Sequence, residues 1–150
     1  MLAVARHAVW LQREFWRTEV TVSLPRLSAS ASGFQPVVPV SDAEYVQALS
    51  ALRLAAPEAG IVLSTREPAP LRDGLVRIAV TSMSAGSSTE PGGYLTPGAA
   101  QEQFSIRDER SPAEVAAMLE AAGYEPVWKN AFPLVGSTEP VPAGRLSIPP

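Results

Sequence analysis

The chain has 150 residues, of which 46% are hydrophobic and 18% charged, with a formal net charge of −3 and a pI near 5.2. That is enough for one packed domain and too apolar to stay unfolded. There is no basic field to draw nucleic acid or an anionic membrane, and no apolar run approaches the ~18 residues of a membrane span. Cysteine is absent and histidine occurs once, at His7. This excludes disulfides, a thiolate nucleophile, the usual iron–sulfur ligands and a histidine-rich metal site. The opening MLAVARHAVWLQREFW places Arg6, Arg13 and Glu14 among apolar residues, with no small-residue cleavage site after it. It does not read as a signal peptide, and a cytoplasmic location is the expectation.

From Leu2 to about Arg17, Val4, Ala8, Leu11 and Phe15 recur three or four apart, which predicts an amphipathic helix. It has no visible cap, and His7 reads as an ordinary helix residue. Glu19–Pro25 alternates and is rich in Val and Thr, predicting a strand. After a Ser/Ala/Gly/Pro loop, Ser41 and Glu44 form a capping box, with Val40 and Tyr45 spaced for a hydrophobic staple. That helix should run to about Ala56, before Pro57 and Gly60. Ile61–Thr65 reads as a strand, Pro68–Leu75 as a short helix or turn, and Arg77–Met83 as a further strand.

This order predicts a parallel α/β sheet. Beyond it, Ser84–Gly98 is a Gly/Ser/Pro loop, and Phe104–Ile106 reads as a brief strand. Ser111-Pro112-Ala113-Glu114 is a second capping box with proline at the first helical position. Its helix should turn Val115, Met118, Leu119 and Ala122 inward and stop at Gly123. Phe132–Pro150 holds five prolines and few large apolar residues, and is expected to be loose. The tryptophans Trp10, Trp16 and Trp128 are expected to pack.

Strand alternation separates two faces. Ile61, Leu63 and Thr65 share one, and Val62, Ser64 and Arg66 the other; Ser82 and Ser84 end one face of the next strand. In a closed parallel barrel the outer face packs on helices, while the inner one can turn polar near the C-terminal mouth where active sites lie. Arg66, Ser82 and Ser84 are therefore expected to face such a mouth.

The residues Leu63-Ser64-Thr65-Arg66-Glu67, Leu71-Arg72-Asp73, Met83-Ser84-Ala85-Gly86-Ser87 and Pro91-Gly92-Gly93-Tyr94 resemble the closing strands of 2-iminoacetate synthase. This is the tyrosine lyase family of thiamine biosynthesis in the radical-SAM superfamily. Thr18–Arg26 and Pro39–Leu54 are similar to its preceding strand and helix, and Phe104–Lys129 to its C-terminal extension, so the likeness spans about Arg13–Lys129. The resemblance implies the last three β/α units of a radical-SAM (β/α) barrel over residues 1–95, a biotin- and thiamine-synthesis-associated extension over 96–130, and a proline-rich tail over 131–150. It implies a [4Fe–4S] cluster and S-adenosylmethionine in the parent family, and a radical cleavage of the Cα–Cβ bond of L-tyrosine to 2-iminoacetate and p-cresol. The 2-iminoacetate passes to thiazole synthase. The cysteine triplet that holds the cluster in that family is not in this chain. The expectation is a C-terminal part, inactive alone and calling for a missing N-terminal half. The alternatives are a cluster-free binding domain and a non-functional remnant.

The family assigns an arginine at this place to the substrate carboxylate. Guanidinium suits that role as a planar, permanently charged fork. Arg66 is thus the first candidate, against an ion pair with Glu67 or a backbone contact. Ser82 and Ser84 are candidates for the same amino-acid head group, against ordinary strand-end polarity. Ser84, Gly86 and Ser87 could offer N–H groups to S-adenosylmethionine, against a bare turn into the extension. Tyr94 reads as a loop anchor, and Glu67 and Asp73 as helix-start charges. The lack of further cysteines favours the thiamine-pathway member over the hydrogenase-maturation lyase, whereas the tryptophan lyase stays open.

Overall fold

In a computed structural model, residues 1–27, 36–89 and 105–128 are described. They form α1 (Leu2–Glu14), β1 (Thr21–Ser23), α2 (Asp42–Ala55), β2 (Gly60–Leu63), α3 (Ala69–Leu75), β3 (Ser82–Met83) and α4 (Pro112–Ala121). The strands pair in parallel in the order β1-β2-β3, with Val22 beside Ile61 and Leu63 beside Met83. No helix among these residues is long and apolar enough to cross a membrane.

The capping chemistry appears as the sequence predicts. Glu44 N–H donates to Ser41 Oγ at 3.3 Å, and Ser41 N–H donates to the Glu44 carboxylate at 2.8 Å. Ser111 and Glu114 repeat the arrangement at the start of α4. These reciprocal bonds satisfy donors that a helix start otherwise leaves open. From its capped start α2 lays Tyr45, Leu49 and Leu52 along one face, where they meet Ile61 and Leu63 of β2 and Leu75 of α3. At its far end Arg53 donates to the carbonyls of Pro57, Ala59 and Ala79. One guanidinium thereby closes the turn into β2 and holds the segment leading to β3. Gly60 serves β-sheet pairing directly: a Cβ there would stand 2.6 Å from Thr21 Cγ2 on β1.

Several expected details shift. The strand expected over Arg77–Met83 begins only at Ser82. The carbonyl of Leu75 accepts from Ile78, Ala79 and Val80, so that backbone is spent on a turn. The strand expected over Glu19–Pro25 pairs only over Thr21–Ser23. Residues 105–106 are not in a strand, and Phe104 lies outside the described residues, as does the tail from 129. The buried stripe of α1 is Ala5 and Ala8 rather than Val4, Leu11 and Phe15, because small side chains let it sit close on α2. Val40 is exposed, and the Arg26 guanidinium covers the Tyr45 ring at 4.9 Å in the place expected for a staple. The tryptophans correct the packing expectation: Trp10, Trp16 and Trp128 are all exposed. Trp10 stacks on His7 at 5.7 Å and meets the edge of Phe15 at 6.1 Å.

The two leucines near the end of α2 separate burial from helix propensity. Leu52 is 1% exposed and Leu54 is 84% exposed. Leu52→Ala should cost about 2–5 kcal/mol through lost burial and a cavity. Leu54→Ala should stay within about 0.5 kcal/mol of the parent. Urea denaturation followed by circular dichroism reads both.

Candidate functional site at the C-terminal rim of the sheet

The alternation expected in β2 holds through the rim. Ile61, Leu63, Thr65 and Glu67 are all buried against the helices, while Val62, Ser64 and Arg66 are half-buried on the opposite face. Parallel registers carry this face across the sheet, aligning Ser23, Val62 and Ser82 in one row. Met83 packs toward the core, so Ser82 and Ser84 project to the side of Val62 and Arg66. Ser84 N–H donates to Leu63 C=O at 2.9 Å, continuing the ladder one residue past β3. Arg66 N–H donates to Ser64 Oγ at 3.3 Å, which turns the chain as it leaves the strand. The three expected substrate residues thus lie at one end of the sheet, all half-buried: Ser82 in β3, Ser84 one residue past it, and Arg66 in the turn that follows β2. Ser82 also borders a cavity of about 460 Å³ between β3 and α4, whose walls include Val80, Met83, Val115 and Leu119.

Two sets of ion pairs flank this rim. On the β1 side, Arg26 grips the buried Glu67 carboxylate with Nε at 3.0 and 3.2 Å and with Nη2, and reaches Asp42 and the Val40 carbonyl with Nη1. Glu67 is therefore the buried partner of Arg26, not a loose helix-start charge. Its hydrogen bonds raise the Arg26 pKa, and burial beside Glu67 pushes the Tyr45 hydroxyl up to about 12.

On the β3 side, Arg72 is fully buried and donates through Nη1 to Asp108 and through Nη2 to the Ser84 carbonyl. Arg110 donates to Asp108 Oδ1 at 2.9 Å and Oδ2 at 2.7 Å, and to Asp73 Oδ1 at 2.8 Å. Arg107 and Asp108 N–H both donate to the Thr65 carbonyl, at 3.0 and 3.1 Å. Arg72 Nε is buried with no hydrogen-bond partner among the described residues. Burial lowers the Arg72 pKa against the opposing pull of Asp108. Hydrogen bonds from Arg110, assisted by the charge of Arg72, hold the Asp108 carboxyl down at about 2.

The loop after β3 is committed to the same segment. Gly86 has φ +58°, and a Cβ there would stand 3.0 Å from Pro112 Cδ; its N–H donates to Arg110 C=O at 3.2 Å. Both backbone groups of Ser84 are likewise engaged, which leaves its hydroxyl as the group offered to the open face. Ser87 is half-buried. Gly92, Gly93 and Tyr94 lie outside the described residues. With no cysteine in the chain, and no group of three or more His, Asp or Glu placed for a metal among the described residues, this chain does not fit a [4Fe–4S] cluster.

Sequence reasoning missed Arg26, Arg72, Asp108 and Arg110. The pairs Arg26–Glu67, Arg72–Asp108 and Arg110–Asp73 join residues 36 to 41 apart in sequence. The visible signal was the charge run Arg107-Asp108-Glu109-Arg110 directly before a capping box.

The chain is a short parallel α/β sheet with polar residues at its C-terminal rim and the segment before a capped helix fastened to that rim. The chain matches the Biotin and Thiamin Synthesis associated domain over residues 23–125, from β1 to just past α4, and belongs to that family. It is 43% identical over 127 residues to 2-iminoacetate synthase of Escherichia coli (strain K12), and 42% identical to that of Salmonella typhimurium (strain LT2). Each match covers 85% of this chain and 34% of the relative, so the chain spans about a third of the length of these curated relatives. The FeFe-hydrogenase maturase HydG from Carboxydothermus hydrogenoformans superposes with a TM-score of 0.71 at 41% identity, over 87% of this chain and 30% of that one. A second structure of HydG, a maturase of the [FeFe]-hydrogenase, gives 0.65 at 35% identity, over 79% and 26%.

The Asp108 network has a pH signature. Its folded pKa of about 2 lies below the ordinary 3.8, so its stabilisation is full above pH 4 and is lost as pH falls toward 2. The expected loss is about 2 kcal/mol, seen as a falling urea midpoint. Asp108→Asn should flatten that limb.

Proposed function

We propose that this chain supplies the substrate-carboxylate side of a radical-SAM lyase. That enzyme would cleave the Cα–Cβ bond of L-tyrosine to 2-iminoacetate and p-cresol and feed thiazole synthase in thiamine biosynthesis. The observation that carries the reading is the placement of Arg66 with Ser82 and Ser84 at the C-terminal rim of the parallel sheet, in a chain 43% identical to 2-iminoacetate synthase. Catalytic groups of parallel β/α architectures gather at that rim.

In this reading the Arg66 guanidinium takes the tyrosine carboxylate as a bidentate, charge-assisted pair. The Ser82 and Ser84 hydroxyls hydrogen-bond the amino-acid head group and fix its orientation. The chain's own contribution is binding and alignment. In the parent family the cluster and S-adenosylmethionine supply the radical; the cysteines that would hold the cluster are not in this sequence.

The same reading makes the chain inactive alone, working with a polypeptide that carries the earlier barrel units. Two features support this. Among the described residues β1 pairs only with β2, which leaves an edge for a further parallel strand. α1 stands beside α2 as a crossover helix would, with Leu2, Trp10, Phe15 and Trp16 exposed.

The test is complementation. The part of the Escherichia coli relative that this chain does not match is co-expressed with it, reconstituted anaerobically with iron and sulfide, and given S-adenosylmethionine and tyrosine. p-Cresol should form only with both pieces. Formation by this chain alone would overturn its incompleteness. No p-cresol from a soluble complex would favour a cluster-free binding domain or a remnant. Within an active complex, Arg66→Lys should raise the KM for tyrosine at least about tenfold, the value of a lost charge-assisted bond.

A further inference from the structure

The β3-side network is costly for a structure that needs only stability. Among the described residues Arg72 is the largest fully buried side chain, Asp108 is 2% exposed, and Arg72 Nε goes unpartnered. Buried pairs of this kind repay their desolvation poorly compared with apolar packing, and are better explained by the geometry they enforce. The network does enforce a specific geometry. The carbonyl of Thr65, in the peptide unit that leads into Arg66, accepts two N–H groups from residues 107 and 108. The carbonyl of Ser84 accepts Arg72 Nη2, while Arg72 Nη1 holds Asp108. The peptide before Arg66 and the peptide after Ser84, at the ends of neighbouring strands, are therefore fastened to the same segment. Arg110 braces that segment through Asp73 on α3 and through its own carbonyl to Gly86 N–H.

We infer that Arg72 and Asp108 are positioning residues that set the separation and aim of Arg66 and Ser84, so that the segment before α4 tunes carboxylate recognition without touching the ligand. This rests on the assignment of Arg66 to the substrate carboxylate, and it adds that the extension builds the site rather than merely following it. Neither residue need face the ligand; each acts through a backbone carbonyl. Fixing a binding fork within a fraction of an ångström is what such outer hydrogen bonds contribute.

The experiment compares L-tyrosine with tyramine, the same ring and amine without the carboxylate, by NMR titration of the full chain. The parent chain should prefer tyrosine, and Arg66→Lys should abolish that preference. Equal binding of the two ligands by the parent, or no effect of Arg66→Lys, would overturn the carboxylate assignment and this inference with it. Given those controls, Asp108→Asn should weaken tyrosine binding about tenfold with tyramine binding unchanged. An unchanged preference would overturn the positioning role while leaving Arg66 in place. A parallel loss for both ligands would also overturn it, since general loosening does not select the carboxylate. Circular dichroism checks that the variant folds. If it does not, Asp73→Asn, which removes only the half-exposed outer brace, decides the matter with an expected loss of about threefold for tyrosine alone.

Discussion

The described structure depends on one buried guanidinium. Arg72 comes from a seven-residue helix too short to hold itself, and its side chain runs through the interior to the point where β3 ends and the last helix is about to begin. Parallel strands of two to four residues carry few ladder hydrogen bonds, so the rim of this sheet cannot be held by pairing alone. Arginine forks do the remaining work. Arg26 joins the end of β1 to Glu67 and α2, Arg53 gathers three carbonyls at the opposite end, and Arg72 with Arg110 closes the third side.

Much of this was legible in the sequence, and the reasons are local. Ser41 with Glu44, and Ser111 with Glu114, are short-range reciprocal bonds, so the residue types at three-residue spacing suffice to place two helix starts. The alternation expected over Ile61–Arg66 is seen in burial, with Ile61, Leu63 and Thr65 buried and Val62, Ser64 and Arg66 half-buried, although the paired strand ends at Leu63. What stayed hidden is long-range. Nothing near Arg72 or Glu67 in sequence announces the partners that bury them. Arg77–Val80 has strand-like side chains, but Leu75 captures its backbone in a turn. Tertiary geometry overrode propensity there.

The candidate site shows the same division. Its half-buried candidates were suggested by alternation and by family resemblance, whereas the ion pairs beside them were not. In the proposed reading the amino-acid head group would meet Arg66 and two hydroxyls, all half-buried at the C-terminal end of the sheet. Arg72 and Asp108, which fasten the backbone next to those groups, are buried and bond the Ser84 and Thr65 carbonyls. A comparison restricted to the open face would miss that the loop after β3 and the segment before α4 are one mechanical unit.

The placement of the aromatic residues has a spectroscopic consequence. All three tryptophans sit at the surface, with Trp16 73% exposed beneath the Arg17 guanidinium at 4.7 Å. The indole emission of the folded chain therefore starts close to that of water-exposed tryptophan and reports little on melting of the Leu49–Ile61–Leu63 core. It is sensitive to something else. Any polypeptide that covers α1 removes water from Trp10 and Trp16 and shifts their emission to the blue, so the chain carries a built-in optical sensor for its own assembly.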